Sequence, residues 1–260
     1  MKPTQVIITK TVDDLARMRR AGRLAARVVE EVARTVAPGI VTAALDRLAE
    51  TLIRDHGGVP SFKGYRGYPA SICISIDDEV VHGIPGPRVI REGQIVSIDI
   101  GVFLDGFHAD VAMTVPAGEV TPAVRRLLAT AQAALDAGIA AAQPGATLGD
   151  VSWAIQSVVE SAGFSAVRDF AGHGIGRTLH EDPQVPNVGR PGTGPQLRVG
   201  MTLAIEPMVN MGGPDVTVDD DGWTVRTRDH SPSAHVEHTV AITARGPEIL
   251  TRLDGAGPVY

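Results

Sequence analysis

The chain repeats an ordered set of short segments at a nearly constant offset, and this constrains its fold more than any single motif. PGIVTAALD at residues 38–46 returns as PGATLGDVS at 144–152, an offset of 106. HGIPG at 82–86 returns as HGIGR at 173–177. REGQIVSIDIG at 91–101 returns as RVGMTLAIEPM at 198–208, an offset of 107. Each match is weak alone. The shared order of two helices, HGI, R-x-G and an apolar strand carrying an acid points to internal duplication. The expectation is a single 260-residue domain built from two α+β halves, roughly 11–116 and 121–245, about a pseudo-twofold axis. Asp99 and Glu206 then occupy related positions near its centre. The second half carries about 16 extra residues between its HGI and its acidic strand, His180 among them.

Hydrophobic periodicity supplies the elements. Leu15, Met18, Leu24, Val28, Val32 and Val36 recur at helical spacing, with Thr11 as N-cap and Pro38-Gly39 as stop. A second helix starts near Thr42 and ends near Gly57-Gly58. Thr121-Pro122 forms an N-cap and N1 pair for a helix reaching Ala142, and another helix runs from about Thr147 to Ser161. Strand-like runs occupy 70–76, 94–102, 107–115, 201–209, 223–228 and 235–243.

The acids sit inside those strands. In IVSIDIGVFLDGFHADVAMTV, residues 95–115, Asp99 and Asp110 interrupt apolar runs. A hairpin over Leu104-Asp105 places them face to face; one over Asp105-Gly106 places them diagonally. Both registers put the two carboxylates on one face, because the strand period is 2. Such a pair repels unless a cation lies between. Glu206 in TLAIEPM and Glu237 in SAHVEHTVAIT add two more acids in apolar strands, and His173 sits in the glycine-rich AGHGIGRTLHEDP. Four carboxylates balance two divalent cations, with a neutral His173 as fifth ligand. Oxygen-rich donors with one imidazole suit Mn²⁺, Fe²⁺, Co²⁺ or Mg²⁺ better than structural Zn²⁺. Of the other histidines, His108 shares strand parity with Asp110 and is expected to support the ligands. His235 lies on the face of Glu237 without a role, His238 faces away, and His56 and His230 read as surface residues.

Composition narrows the setting. The net charge of −6 argues against nucleic acid as the main ligand, and the pairs Arg19-Arg20 and Arg125-Arg126 fit helix surfaces. One cysteine, Cys73, excludes an intramolecular disulfide framework. No apolar run approaches the ~20 residues of a membrane span, and the start lacks a signal-peptide core. A cytoplasmic protein is expected, with no DNA or membrane partner and a monomeric state.

The ordered set YRGYPASICIS, VHGIPG, SIDIG, HADVAMT, GHGIGRTLHEDPQVPN, AIEPM, GWTVRTRD and HVEHT resembles the type I methionine aminopeptidases, in their short bacterial form, over nearly the whole chain. The resemblance implies the pita-bread fold: α+β, two pseudo-symmetric halves, an antiparallel sheet and outer helices. It implies Asp99, Asp110, His173, Glu206 and Glu237 as ligands of two divalent ions, of Co, Mn, Fe, Mg or Zn. It assigns His82 and His180 to substrate contact and Glu206 to proton transfer. It places Tyr65, Tyr68, Cys73, Leu179 and Trp223 around a methionine pocket. Leu179 stands where many relatives have Phe, and Val81 and Phe62 where some have Cys. The implied substrate is a nascent polypeptide with a small second residue, which fits a transient ribosome contact.

Two alternatives compete. An X-Pro dipeptidase or aminopeptidase of the same fold usually carries a large additional N-terminal domain, whereas the first helix here begins near residue 11. A non-catalytic binding protein on this fold typically loses metal ligands, and all five are present.

Overall fold

The computed structural model describes residues 6–253. Four helices form where the periodicity predicts them: α1 (Val12–Thr35), α2 (Thr42–Asp55), α3 (Pro122–Ala141) and α4 (Leu148–Ser161). Thr11 and Asp14 close a reciprocal capping box on α1, as Thr147 and Asp150 do on α4. The Thr121 hydroxyl accepts from Val124 N–H, and Pro122 begins α3.

The strands are β1 (Val59–Pro60), β2 (Cys73–Ile76), β3 (Glu79–Val81), β4 (Gln94–Leu104), β5 (Phe107–Ala117), β6 (Ser165–Ala166), β7 (Ala171–Gly174), β8 (Glu181–Pro186), β9 (Thr202–Ile205), β10 (Met208–Asn210), β11 (Val216–Val218), β12 (Val225–Thr227), β13 (Ser233–His235), β14 (Glu237–Thr243) and β15 (Gly246–Ile249). The main sheet runs β1-β4-β5-β14-β9-β7-β8, with β2 on β4 and β15 on β14. Two small sheets, β13-β10-β6 and β11-β12-β3, flank it. The pairings are antiparallel throughout. An antiparallel main sheet with two helix pairs outside it is the α+β arrangement expected from the sequence.

The β4–β5 hairpin turns on Asp105-Gly106, with positive φ at both residues (54° and 84°). This is the conformation a two-residue hairpin turn requires and an Asp-Gly pair accepts. Gly101 therefore faces Asp110, and Asp99 faces Ala112, the diagonal alternative of the two registers.

Alternation then sorts the sheet into two faces. Val96, Ile98, Ile100, Val111 and Val115 point into a core with α1 and α2. Leu203, Ile205, Val240 and Ile242 point into a core with α3 and α4. Each fully buried aliphatic contributes ~1.5–3 kcal/mol. The opposite face is left for Ser97, Asp99, Asp110, Ala112, Thr114, Ala204, Glu237 and Thr239.

Two expected strands are broken. The 201–209 run divides at Glu206-Pro207, because proline has no N–H for the ladder. The 235–243 run divides at Val236, so His235 ends β13 in one sheet and Glu237 begins β14 in another. Both interruptions fall at acids or beside them.

Candidate metal centre and active site

Four strands meet at one rung. Asp99 of β4 and Glu237 of β14 both pair with Ala112 of β5, and Cys73 of β2 pairs with Asp99 on its other side. Ala112 contributes only a methyl group, which leaves space between the flanking carboxylates. Asp110 lies two residues along β5 on the same face. Glu206 lies just beyond the end of β9, whose Ala204 pairs with both Thr239 and His173. Gly172 keeps β7 close to it: a Cβ there would stand 2.3 Å from the Ala204 carbonyl oxygen. Asn187 is buried and its side-chain amide donates to the Glu206 carbonyl at 3.1 Å.

All five expected ligands line one cavity, of about 130 Å³, with His82, His180, Phe62, Tyr65, Arg66, Tyr68, Cys73, Leu179 and Trp223. Asp110, His173 and Glu237 bring donor atoms within 4.8 Å of one another, and so do Glu206, His235 and Glu237. The second group includes a histidine to which the sequence assigned no role.

The electrostatics show a site short of positive charge. Burial and the neighbouring Asp110 push the Asp99 carboxyl well above its usual range. Burial likewise raises Glu206 and Glu237, and lifts Asp110 to about 7. Asp99 Oδ1 and Glu237 Oε1 are buried without a hydrogen-bond partner. Orphaned acceptors facing one another are poor structural groups and good cation ligands. His173 Nδ1 lies 2.8 Å from the Gly174 carbonyl. Donation there puts the proton on Nδ1 and leaves the Nε2 lone pair facing the carboxylates, as a metal ligand requires. Nε2 lies 3.7 Å from Glu206 Oε1. Burial lowers His173 to about 4, which keeps the imidazole neutral. The residues present fit divalent metal.

The substrate side is built around the same floor. The His180 ring stacks on Tyr65 at 5.2 Å and lies 4.1 Å from the His173 ring. Burial is the main cause lowering it to about 3. His82 holds a strained positive φ of 61°. Its ring packs edge-on against Trp223 and Phe170. The Tyr68 hydroxyl lies within hydrogen-bond reach of the carbonyls of Gly83 (2.9 Å) and Ile72 (3.1 Å) and shares its one proton between them, tying the pocket wall to the His82 turn. Arg226 on β12 bridges Asp78, Glu79 and Asp219, which joins the strand after Trp223 to the strand before His82. A buried ion pair, Lys10–Glu181 at 2.5 Å, closes the loop carrying Leu179 and His180.

Some expectations need correction. His108 does not line the cavity; its Nδ1 bonds Ser61 at 2.8 Å and its ring meets Phe103. It sits near the hairpin turn, two residues beyond Asp110. Val81 is buried in β3 opposite Val225 and does not line the cavity, whereas Phe62 does. Phe170, Arg66 and Asn187 were not anticipated. Phe170 and Asn187 lie in loops and Arg66 in a single 3-10 turn, where the sequence carries no periodic signal. His238 turns to Thr251, and His56 and His230 are exposed, as expected. Arg19, Arg20 and Arg125 are paired with Glu248, Asp105 and Glu119, so these basic residues are locally balanced. No helix among the described residues is long and apolar enough to cross a membrane.

Fold and donor set together define a metal-dependent hydrolase. Residues 16–244 match the profile of metallopeptidase family M24, and the chain belongs to that family. It is 50% identical to methionine aminopeptidase 1 of Bacillus subtilis over 248 residues, 95% of this chain and all of that one. It is 51% identical to the methionine aminopeptidase of Clostridium perfringens, over 95% and 99% of the two chains. The crystal structure of methionine aminopeptidase from Rickettsia prowazekii superposes with a TM-score of 0.94 at 42% identity, covering 95% of this chain and 100% of that one. Prolidase from Pyrococcus furiosus shares the fold, with a TM-score of 0.78 at 21% identity over 95% of this chain and 66% of that one.

Proposed function

We propose that the protein removes the N-terminal methionine from peptides and nascent proteins whose second residue is small. The observation that carries this reading is the single sheet face holding all five ligands beside an apolar cavity, in a chain half identical to full-length methionine aminopeptidases. Asp99, Asp110, His173, Glu206 and Glu237 would hold two divalent ions, four negative charges against four positive. When bound, such ions supply Lewis acidity: they polarise the scissile carbonyl and make a water acidic enough to attack it at neutral pH.

The chain's own residues do the rest. Tyr65, Tyr68, Cys73, Leu179 and Trp223 receive the methionine side chain in the cavity they line. Glu206 takes the proton from the attacking water and passes it to the departing amine, base and then acid. His180, neutral and near His173, donates to the carbonyl oxygen as negative charge develops there. His82, which lines the same cavity, contacts the scissile nitrogen. A monomer that meets its substrate through a transient ribosome contact in the cytoplasm completes the reading.

The test is cleavage of Met-Ala-Ser, Met-Leu-Ser and Gly-Pro by metal-stripped protein, with Mn²⁺ or Co²⁺ restored. Methionine released only from Met-Ala-Ser, and only with metal, is the expected result. Cleavage of Gly-Pro instead moves the protein to the proline-peptidase branch. Glu206→Gln should fold normally and lose activity by ~10²–10⁴-fold; normal turnover in that variant excludes the proton-transfer role.

A further inference from the structure

His235 is a buried imidazole, 2% exposed, that the reading above leaves unused. Its Nε2 lies 3.5 Å from Glu206 Oε2 and has no hydrogen-bond partner. The other oxygen of that carboxylate, Oε1, faces His173 Nε2 at 3.7 Å. Glu206 therefore lies between two imidazoles, one facing each oxygen.

The backbone of His235 is fixed with unusual care. Its N–H donates to the Thr114 hydroxyl at 3.0 Å, and the same hydroxyl donates to its carbonyl at 2.6 Å. That hydroxyl's one proton is committed to His235, so in the 2.8 Å contact with Ser97 Oγ the serine is the donor. The identical device holds Asp110: its N–H donates to the Thr239 hydroxyl, which donates back to the Asp110 carbonyl. The two clamps are reciprocal across the Ala112–Glu237 pair. Ala-Asp-Val-Ala-Met-Thr at 109–114 and Ala-His-Val-Glu-His-Thr at 234–239 match in register. His235 thus stands in β13 as Asp110 stands in β5, with its side chain directed at the same floor.

We infer that His235 is a positioning residue: its Nε2–H, 3.5 Å from Glu206 Oε2 and otherwise unpartnered, closes onto that oxygen when the ligands gather and so turns Oε1 toward the floor and His173. The inference rests on the aminopeptidase reading of Glu206. A buried carboxylate with one oxygen fixed by a neutral donor keeps a single rotamer, so the proton it accepts and returns travels along one line. Without the donor, Glu206 is free to turn either oxygen to the floor.

The test has two arms. In the first, protein labelled with ¹⁵N-histidine is examined by long-range ¹H–¹⁵N correlation, metal-free and loaded with diamagnetic Zn²⁺, with the His235 signals assigned by their loss in His235→Gln. A proton on Nε2 in both states is expected. An unprotonated Nε2, whether free or ligating the ion, overturns the inference and needs no activity measurement. In the second arm, His235→Leu removes the donor and His235→Gln restores an N–H. His235→Leu should lower kcat on Met-Ala-Ser ~10–100-fold with KM within about twofold, and His235→Gln should recover most of the loss. Wild-type kcat in His235→Leu, or equal loss in both variants, overturns the inference. Wild-type protein that releases no methionine instead overturns the reading of Glu206, while the tautomer still decides whether the contact exists.

Discussion

Asp99 and Glu237 share one neighbour: Ala112 pairs with both, one from each side, so two carboxylates from opposite ends of the sequence face each other across a single methyl group. The spacing of the floor is set by the smallness of that residue.

Ala112→Leu should therefore fill the gap that a cation is to occupy. The added atoms point to the ligand face and away from the core, so the cost in stability should stay near ~1–3 kcal/mol. Metal affinity should fall by at least tenfold. Titration calorimetry with Mn²⁺, beside thermal unfolding of the metal-free protein, separates the two effects.

Metal-free protein should lose stability as pH rises from 6.5 to 8. Asp99, Asp110, Glu206 and Glu237 all have folded pKa values raised above their unfolded ones. Over this interval the native state holds protons that the unfolded state has released, and stability falls with pH. The buried histidines act in the opposite sense, because the unfolded chain takes up their protons at about pH 6.5, and this contribution fades as pH rises toward 8. Metal should abolish the decline by replacing the protons. Thermal unfolding at several pH values, with and without Mn²⁺, checks the sign; a metal-free protein that gains stability over this range contradicts it.

Lys10→Met should be among the costliest substitutions far in sequence from the acids. Glu181 would stay buried without its partner, a loss of ~3–5 kcal/mol for a broken buried pair. Adding Glu181→Gln should return part of it, because no unpaired charge then remains. Urea unfolding of the single and double variants measures the coupling.

Leu179→Phe should narrow the side-chain pocket, since Leu179 is 2% exposed and lines the cavity. KM for Met-Ala-Ser should rise several-fold with kcat little changed, because on the proposed reading Leu179 meets the methionine side chain and not the scissile bond. Steady-state kinetics on both proteins decides it.

Helix ends, the existence of the hairpin and the five candidate ligands were legible in the sequence because each has a local signature. Thr11 and Thr121 announce caps, and an acid inside an apolar strand announces a partner; the choice between the Leu104-Asp105 and Asp105-Gly106 turns came only with the structure. His235 was visible only as a residue on the face of Glu237. Its contact with Glu206 depends on a strand break at Val236 and on a hydroxyl from β5, neither of which periodicity reports. Phe170 and Asn187 were hidden for the same reason: they are brought in by loops whose course is fixed by tertiary pairing. His108 misled because strand parity gives the face a residue shares but not the distance along it.

The position of β14 has a temporal consequence. This strand lies in the middle of the main sheet, between β5 and β9, yet it follows both of them in sequence and brings the last donor, Glu237. A chain emerging from synthesis can complete its first hairpin and both helix pairs while the centre of its sheet is still missing. Pairing over such separations is slow, and until it happens Asp99 and Asp110 have no floor to join. Truncation ahead of β14 should therefore give no partly active product, and chelating metal during refolding should not change the order in which the halves form, only whether the last step is held.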